Sequence, residues 1–427
     1  MVLDFWFDYS CPYAYAASGL VEGVAERTGA TLRYRPFLLG GVFRAVGTSQ
    51  NLATTLSPQK ALHLLHDQQR ALVRAGLPLS FPMEHPRRTV HALRATLAAA
   101  RRQRSGGPDH RPLIHAFFRA YWAENAPIED EACVRAIASA HGFLDLDLEA
   151  ERHELRGQTD EAIAIGVFGA PAFVVSPAED GGFYWGHDRL DAVEAALGGS
   201  PPPARLPLDP PSDASVDFWF DYSSPFAFLA STQVRALAER TGAKLCLRPF
   251  LLGAVFRAFG QADVPLFAFS DAKRRWYLRD LMLQAAGARG SEGFRFSPHF
   301  PLRTVLALRC TLAHPEPWGF MERVFRAAWV DGLDIADPRV LVGLGGDPEA
   351  AAGQRDALTA ATAEAVGTGV FGTPTFIVRW PSGYGEGRIL RFWGSDRIGQ
   401  LEDVLTGWLA PGAMDDPFNT GPLAGNA

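Results

Sequence analysis

Asp4-Phe-Trp-Phe-Asp-Tyr-Ser-Cys-Pro12 returns as Asp217-Phe-Trp-Phe-Asp-Tyr-Ser-Ser-Pro225, and the two stretches differ only at Cys11 and Ser224. At the same offset of 213 residues, Arg35-Pro-Phe-Leu-Leu-Gly-Gly-Val-Phe-Arg-Ala-Val-Gly47 returns as Arg248-Pro-Phe-Leu-Leu-Gly-Ala-Val-Phe-Arg-Ala-Phe-Gly260. Three more pairs follow in the same order. They are Arg88-Thr-Val90 with Arg303-Thr-Val305, Val167-Phe-Gly-Ala-Pro171 with Val370-Phe-Gly-Thr-Pro374, and Trp185-Gly-His-Asp-Arg189 with Trp393-Gly-Ser-Asp-Arg397. An ordered series of this kind excludes chance. Its period is far longer than the roughly 20–50 residues of a solenoid unit, so it marks the duplication of a whole domain.

The duplication sets the expected boundaries: a first domain over 1–198, a connector over 199–214, a second domain over 215–410 and a tail over 411–427. The connector is rich in proline, which cannot donate to a helix or a central strand and favours a stiff extended chain. Residues 411–427 hold little that could be buried and are expected to fray.

Composition narrows the function. With 427 residues, 47% hydrophobic and 21% charged, the chain is that of an ordinary globular protein. Its net charge of -6, from 41 basic and 47 acidic residues, offers no basic patch for nucleic acid and no polybasic tail for a membrane surface. The expected partner is a small molecule. Strand-like sequence starts at Val2, which leaves no room for a signal peptide, and a cytoplasmic protein is expected. No apolar run reaches the length of a membrane span. Cys11, Cys133, Cys246 and Cys310 form no Cys-x-x-Cys pair and no regular spacing, so neither a disulfide framework nor a zinc site is expected.

Periodicity gives each copy the same order. Residues 2–7 alternate with aromatics and read as a strand, and Pro12 stands where a helix can begin. Residues 31–38 read as a second strand that runs into a glycine turn, while 57–141 carry helical spacing. A helix over 149–165, strands over 172–176 and 182–185 and a helix over 188–197 close the copy. Copy two repeats this, with strands near Val216, Lys244, Thr375 and Leu390.

The turn after the first strand is the place to look for chemistry, because a side chain at a helix N-terminus faces unpaired N–H groups and the positive end of the dipole. Copy one places Cys11 there, a candidate low-pKa thiolate. Ala14 stands where a dithiol enzyme keeps its second cysteine, so no local thiol resolves it. Copy two places Ser224 there, a hydroxyl donor that needs a nucleophile from outside. Helix capping alone is the plain alternative for both residues. Ala170-Pro171 and Thr373-Pro374 precede a strand, and either proline could simply close a turn. Ser395 and Asp396 can cap the last helix of copy two, where copy one has His187 and Asp188.

The aromatic strand, the Pro at the helix start and the Gly-x-Pro before a later strand together resemble the thioredoxin superfamily, whose matching proline is cis and leaves the preceding backbone free to bind a thiol compound. Taken with the Arg-Pro-Phe-Leu-Leu-Gly run and the Trp-Gly-x-Asp-Arg ending, each copy resembles the 2-hydroxychromene-2-carboxylate isomerases of the DsbA and kappa-class glutathione transferase group. The resemblance implies an α/β fold of tandem thioredoxin-like (DsbA-like) domains, each with a large helical insertion. It also implies glutathione as cofactor, with its sulfur at Ser224, Thr373 and Pro374 along the peptide, and Ser395 and Asp396 on the γ-glutamyl end. Lys273 would approach the glycine end and Gln261 would stand where the family often has an Asn. In copy one the matching positions are Cys11, Ala170, Pro171, Asp188 and Lys60, with Thr48 opposite Gln261.

The family reaction interconverts cis and trans forms about a conjugated double bond of an aromatic carboxylate by reversible thiolate addition. Arg35 and Arg248 are candidate partners for the substrate carboxylate. Family members commonly dimerise, so the two fused copies would form an intrachain pseudo-dimer. Two other readings stay open: a kappa-type glutathione transferase or monothiol exchange enzyme acting through Cys11, and a non-catalytic ligand carrier. A metal enzyme built on His63 and His66 is a weaker alternative, because an i, i+3 pair is commonly a solvated surface.

Overall fold

The computed structural model describes residues 1–49, 55–178, 182–200, 214–262, 264–380 and 389–407, with two four-stranded mixed sheets. The first consists of β1 (Val2–Phe7), β2 (Thr31–Pro36), β3 (Ala172–Ser176) and β4 (Phe183–Trp185) in the order β2-β1-β3-β4. The second consists of β5 (Ser215–Phe220), β6 (Lys244–Pro249), β7 (Thr375–Arg379) and β8 (Ile389–Trp393) in the order β6-β5-β7-β8. In each sheet the first two strands are parallel and the other pairs antiparallel. A parallel pair needs a crossover rather than a tight turn, and the helical segment after each first strand supplies it. Both halves are therefore thioredoxin-like α/β domains with a helical insertion, as the sequence order implied.

The central strand is buried on both faces, not one. Leu3, Phe5, Trp6 and Phe7 are each at most 1% exposed, as are Val216, Phe218, Trp219 and Phe220. Alternation in β1 and β5 thus separates an aliphatic and phenyl face from a tryptophan face, both covered by helices. On the first face Phe5 stacks on Phe173 at 5.4 Å, and Phe218 stacks on Phe376 at 5.5 Å.

The helical segment between β1 and β2 differs between the halves. Copy one breaks into Pro12–Ser18 and Val21–Thr28 around Gly19, whereas copy two runs unbroken over Pro225–Thr241. A Cβ on Gly19 would lie 3.0 Å from the Leu77 side chain, while copy two carries Thr232 at the matching place.

The chain divides into two compact units that do not coincide with the two sequence copies. Unit 1 is Met1–Thr55, Gln68–Pro203 and Ser270–Trp276; unit 2 is Leu56–Asp67, Ala204–Phe269 and Tyr277–Ala427. Two short stretches of the insertions, Leu56–Asp67 and Ser270–Trp276, thus belong with the other copy's sheet, which periodicity does not disclose. Residues 201–213 of the expected connector and the whole expected tail lie outside the described residues. No described helix is long and apolar enough to cross a membrane.

Candidate active site

In unit 2 the turn between β5 and the helix Pro225–Thr241 presents Ser224 as N-cap. Its Oγ accepts from the Ala227 N–H at 3.2 Å and donates to the Thr373 carbonyl, also at 3.2 Å. The peptide bond between Thr373 and Pro374 is cis, and Thr373 Oγ1 donates to the Trp219 carbonyl at 3.2 Å. One hydroxyl therefore joins the turn to the proline loop. The Gly394 N–H in turn donates to the Pro374 carbonyl at 3.0 Å and brings the Trp-Gly-Ser-Asp-Arg ending alongside.

Two glycines of these motifs are fixed by space. A Cβ on Gly372 would sit 2.5 Å from Trp393 Nε1, and one on Gly394, at φ 116°, would sit 2.4 Å from Asp396 Oδ1. Ser395 then opens a short 3-10 turn, Ser395–Arg397, before the last helix. Ser395 is 7% exposed, and its Oγ donates to Gln284 Oε1 at 2.9 Å. Asp396 pairs with Arg397 at 3.1 Å, and the Arg397 guanidinium grips both oxygens of Asp67 at 2.7 and 3.0 Å.

Lys60 also belongs to unit 2, where its Nζ lies 5.1 Å from the centroid of the Trp393 ring and burial pulls its pKa below the ordinary lysine value. His63 stands edge-on to the same indole at 6.1 Å. Gln261 Nε2 is buried and has no hydrogen-bond partner among the described residues. Ser224, Thr373, Pro374, Ser395, Asp396 and Gln261 thus share a unit, as expected from copy two, but the lysine that joins them is Lys60. Lys273, expected there, falls in unit 1 together with Trp276, whose ring packs on Trp185 at 5.0 Å and on Phe168 at 5.6 Å. Matching by sequence copy paired each lysine with its own copy's turn, whereas packing decides the matter. No motif marks Asp67 or Gln284 in the sequence; the one signal is that an aspartate recurs 213 residues after Asp67, at Asp280.

Unit 1 has the same chain path with different side chains. Cys11 Sγ donates to the Ala170 carbonyl at 3.1 Å, and the Ala170–Pro171 bond is cis. The expectation of a thiolate is corrected: burial pushes the Cys11 thiol up to about 12, against the smaller opposing pull of the Ala14 and Tyr13 N–H groups. Cys11 makes no side-chain cap, and its helix is only seven residues long. His187 stacks on Tyr13 at 4.9 Å, and Asp188 pairs with Arg189 at 3.1 Å.

The two candidate carboxylate-binding arginines are engaged elsewhere. Arg248 bonds Asp217 at 3.2 Å and lies over Trp219, its neighbour in the β5–β6 register. Arg35 pairs with Glu161 and lies 4.5 Å over Trp6, its neighbour in the β1–β2 register. Both therefore clamp the strand edge. Among the described residues no group of three or more His, Cys, Asp or Glu could hold a metal ion.

Comparison with known proteins covers nearly all of the chain. A family described as the DSBA-like thioredoxin domain matches residues 2–198 and again 215–406. The 2-hydroxychromene-2-carboxylate isomerase of Pseudomonas putida is 27% identical over 46% of this chain and 95% of its own length, and that of Sphingobium xenophagum is 29% identical over 46% and 97%. Glutathione S-transferase kappa 1 of Caenorhabditis elegans is 25% identical over 46% of this chain and 90% of its own. Each relative corresponds to about half of the chain, as a fusion of two such domains requires.

Proposed function

Because the chain belongs to the DSBA-like thioredoxin domain family, twice over, we propose that it is a glutathione-dependent isomerase of a conjugated aromatic or enone carboxylate, with glutathione held by unit 2. The observation that carries this reading is the Ser224 hydroxyl at the head of the 17-residue helix Pro225–Thr241, beside the Thr373 carbonyl. Relatives named as isomerases and as a kappa glutathione transferase support the same class.

The residues of unit 2 fit the tripeptide. The buried, unpartnered Gln261 Nε2 offers a donor to a ligand oxygen. Lys60 offers a cation to a carboxylate, and the Ser395 hydroxyl with the Asp396 carboxylate suits an amino-acid head group. Backbone groups of Thr373 suit the peptide portion. Bound there, glutathione would supply a thiolate nucleophile for reversible addition to the conjugated bond.

Ser224 does the work of holding that sulfur as an anion. Its hydroxyl, which donates to the Thr373 carbonyl here, would donate to the sulfur instead, and the helix N-terminus would add its positive end. No second protein thiol is needed, which agrees with Ala227 three residues after Ser224. Cys11 as a resting nucleophile is disfavoured by its burial and raised pKa.

Titration calorimetry with glutathione tests the reading. Ser224→Ala is expected to weaken binding about tenfold, the loss of one hydrogen bond to a charged sulfur. Cys11→Ala is expected to leave it unchanged. Absence of binding to the wild-type chain would remove the cofactor from the proposal. Cis/trans interconversion of a hydroxychromene carboxylate, against conjugation of an electrophile, separates isomerase from transferase.

A further inference from the structure

Behind each turn lies a carboxylate that touches neither the candidate ligand positions nor bulk water. Asp221 is 1% exposed and Asp8 3%. Asp221 Oδ1 accepts from the Ser223 N–H at 2.9 Å, and Oδ2 accepts from the Leu252 N–H at 2.8 Å. The Thr304 and Ser223 hydroxyls donate to the same carboxylate. Asp8 repeats the set in unit 1: Ser10 N–H and Oγ at 2.9 Å, Leu39 N–H at 2.9 Å and Thr89 Oγ1 at 2.8 Å. Each carboxylate thus ties three separated segments: the turn itself, the start of the short helix after the second strand, and the head of an insertion helix.

We infer that Asp221 and Asp8 are positioning residues that fix the side chain presented by each turn, Ser224 Oγ in unit 2 and Cys11 Sγ in unit 1. All of their partners are donors, so the geometry requires an acceptor at every contact and is satisfied by the anion. Burial raises both pKa values, and the hydrogen bonds oppose that rise. An asparagine offers one oxygen and turns an NH2 toward a facing N–H, which breaks one tie. The backbone link to the presented residue is direct, because the Ser224 N–H donates to the Asp221 carbonyl at 3.2 Å and the Cys11 N–H to the Asp8 carbonyl at 3.0 Å.

Positioning and plain charge make different predictions. A carboxylate acting only through its charge opposes a thiolate nearby, and its removal would lower the thiol pKa. A carboxylate that positions Ser224 would raise the pKa of a bound thiol when it is lost. The unit 2 half of the inference rests on the glutathione reading above; the unit 1 half does not.

The first experiment needs no ligand. Alkylation of Cys11 in the full chain is followed by mass spectrometry for wild type, Asp8→Asn and Thr89→Val, with amide exchange in β1 as the monitor of global opening. Both variants are expected to accelerate Cys11 by roughly tenfold or more at unchanged β1 protection, since the thiol leaves its buried place. Thr89→Val keeps the charge, so acceleration by Asp8→Asn alone would assign a charge effect and overturn the inference, as would unchanged rates in both. The second experiment titrates the ultraviolet thiolate absorbance of bound glutathione. Asp221→Asn is expected to raise the midpoint by roughly half a unit or more, with Thr304→Val in the same direction, and an unchanged or lowered midpoint overturns the inference. If wild type takes up no glutathione, the cofactor reading fails while Cys11 still decides the positioning role.

Discussion

Residue 372 carries no side chain because an indole nitrogen occupies the space, 2.5 Å from where a Cβ would stand. Gly372→Ala must therefore move Trp393, whose ring is rigid and lies beside Lys60. Overpacking of this kind costs about 1–3 kcal/mol, and urea denaturation is expected to show it together with weaker glutathione uptake. His85 gives a pH signature. Burial lowers its pKa from 6.5 to about 4, while its Nδ1 meets the Tyr121 hydroxyl at 2.9 Å. A base whose folded pKa is depressed stabilises the fold above the unfolded value and loses that contribution as pH falls from 6.5 toward 4. The loss is about 3 kcal/mol at most. Copy two has Phe300 at the matching place, and His85→Phe is expected to flatten the stability profile over that window in a denaturation series. Residue types at the turn were readable in the sequence, but the protonation of Cys11 was not. The dipole argument sees only the helix end, and burial reverses its outcome.

At the scale of elements, the two turns differ by one atom of the cap. Ser224 caps the Ala227 N–H, whereas Cys11 leaves the corresponding position without a side-chain cap. Cys11→Ser is expected to restore that bond and stabilise unit 1 by about 1 kcal/mol, visible as a higher midpoint for its thermal transition. Strands and their order were legible because aromatic alternation, Pro at the helix start and Gly-x-Pro each act locally. Charge alone does not place the strand arginines. In the register Arg35 stands opposite Trp6 and Arg248 opposite Trp219, and each guanidinium finds a ring and a carboxylate there. The final helix over 188–197 is likewise a 3-10 turn, His187–Arg189, followed by Leu190–Ala196. Gly186 at φ 110° sets that entry angle, which periodicity does not encode.

For the molecule as a whole, duplication was plain from the repeated motifs, yet the assignment of each lysine was not. Residues 56–67 pack in unit 2 and 270–276 in unit 1, a choice made by tertiary contacts after the helical pattern is already satisfied. With Ser224, Ser395, Thr373 and Lys60 together in unit 2, and a stacked Tyr13–His187 pair in unit 1, calorimetry is expected to count one glutathione per chain. A count of two, or a count of one abolished by Cys11→Ala, would contradict the assignment of the site to unit 2.

The company kept by Trp393 has an optical consequence. Among the ten tryptophans of the chain, this indole has an ammonium 5.1 Å from its ring and an imidazole against its edge, whereas Trp185 at the matching place meets another indole. A cation at that range perturbs the excited state, so Trp393 emission depends on where Lys60 is held. A ligand carboxylate that draws Lys60 away changes that emission, and a Trp393→Phe difference spectrum isolates the signal. Occupancy of the unit 2 site can then be followed in real time without a label.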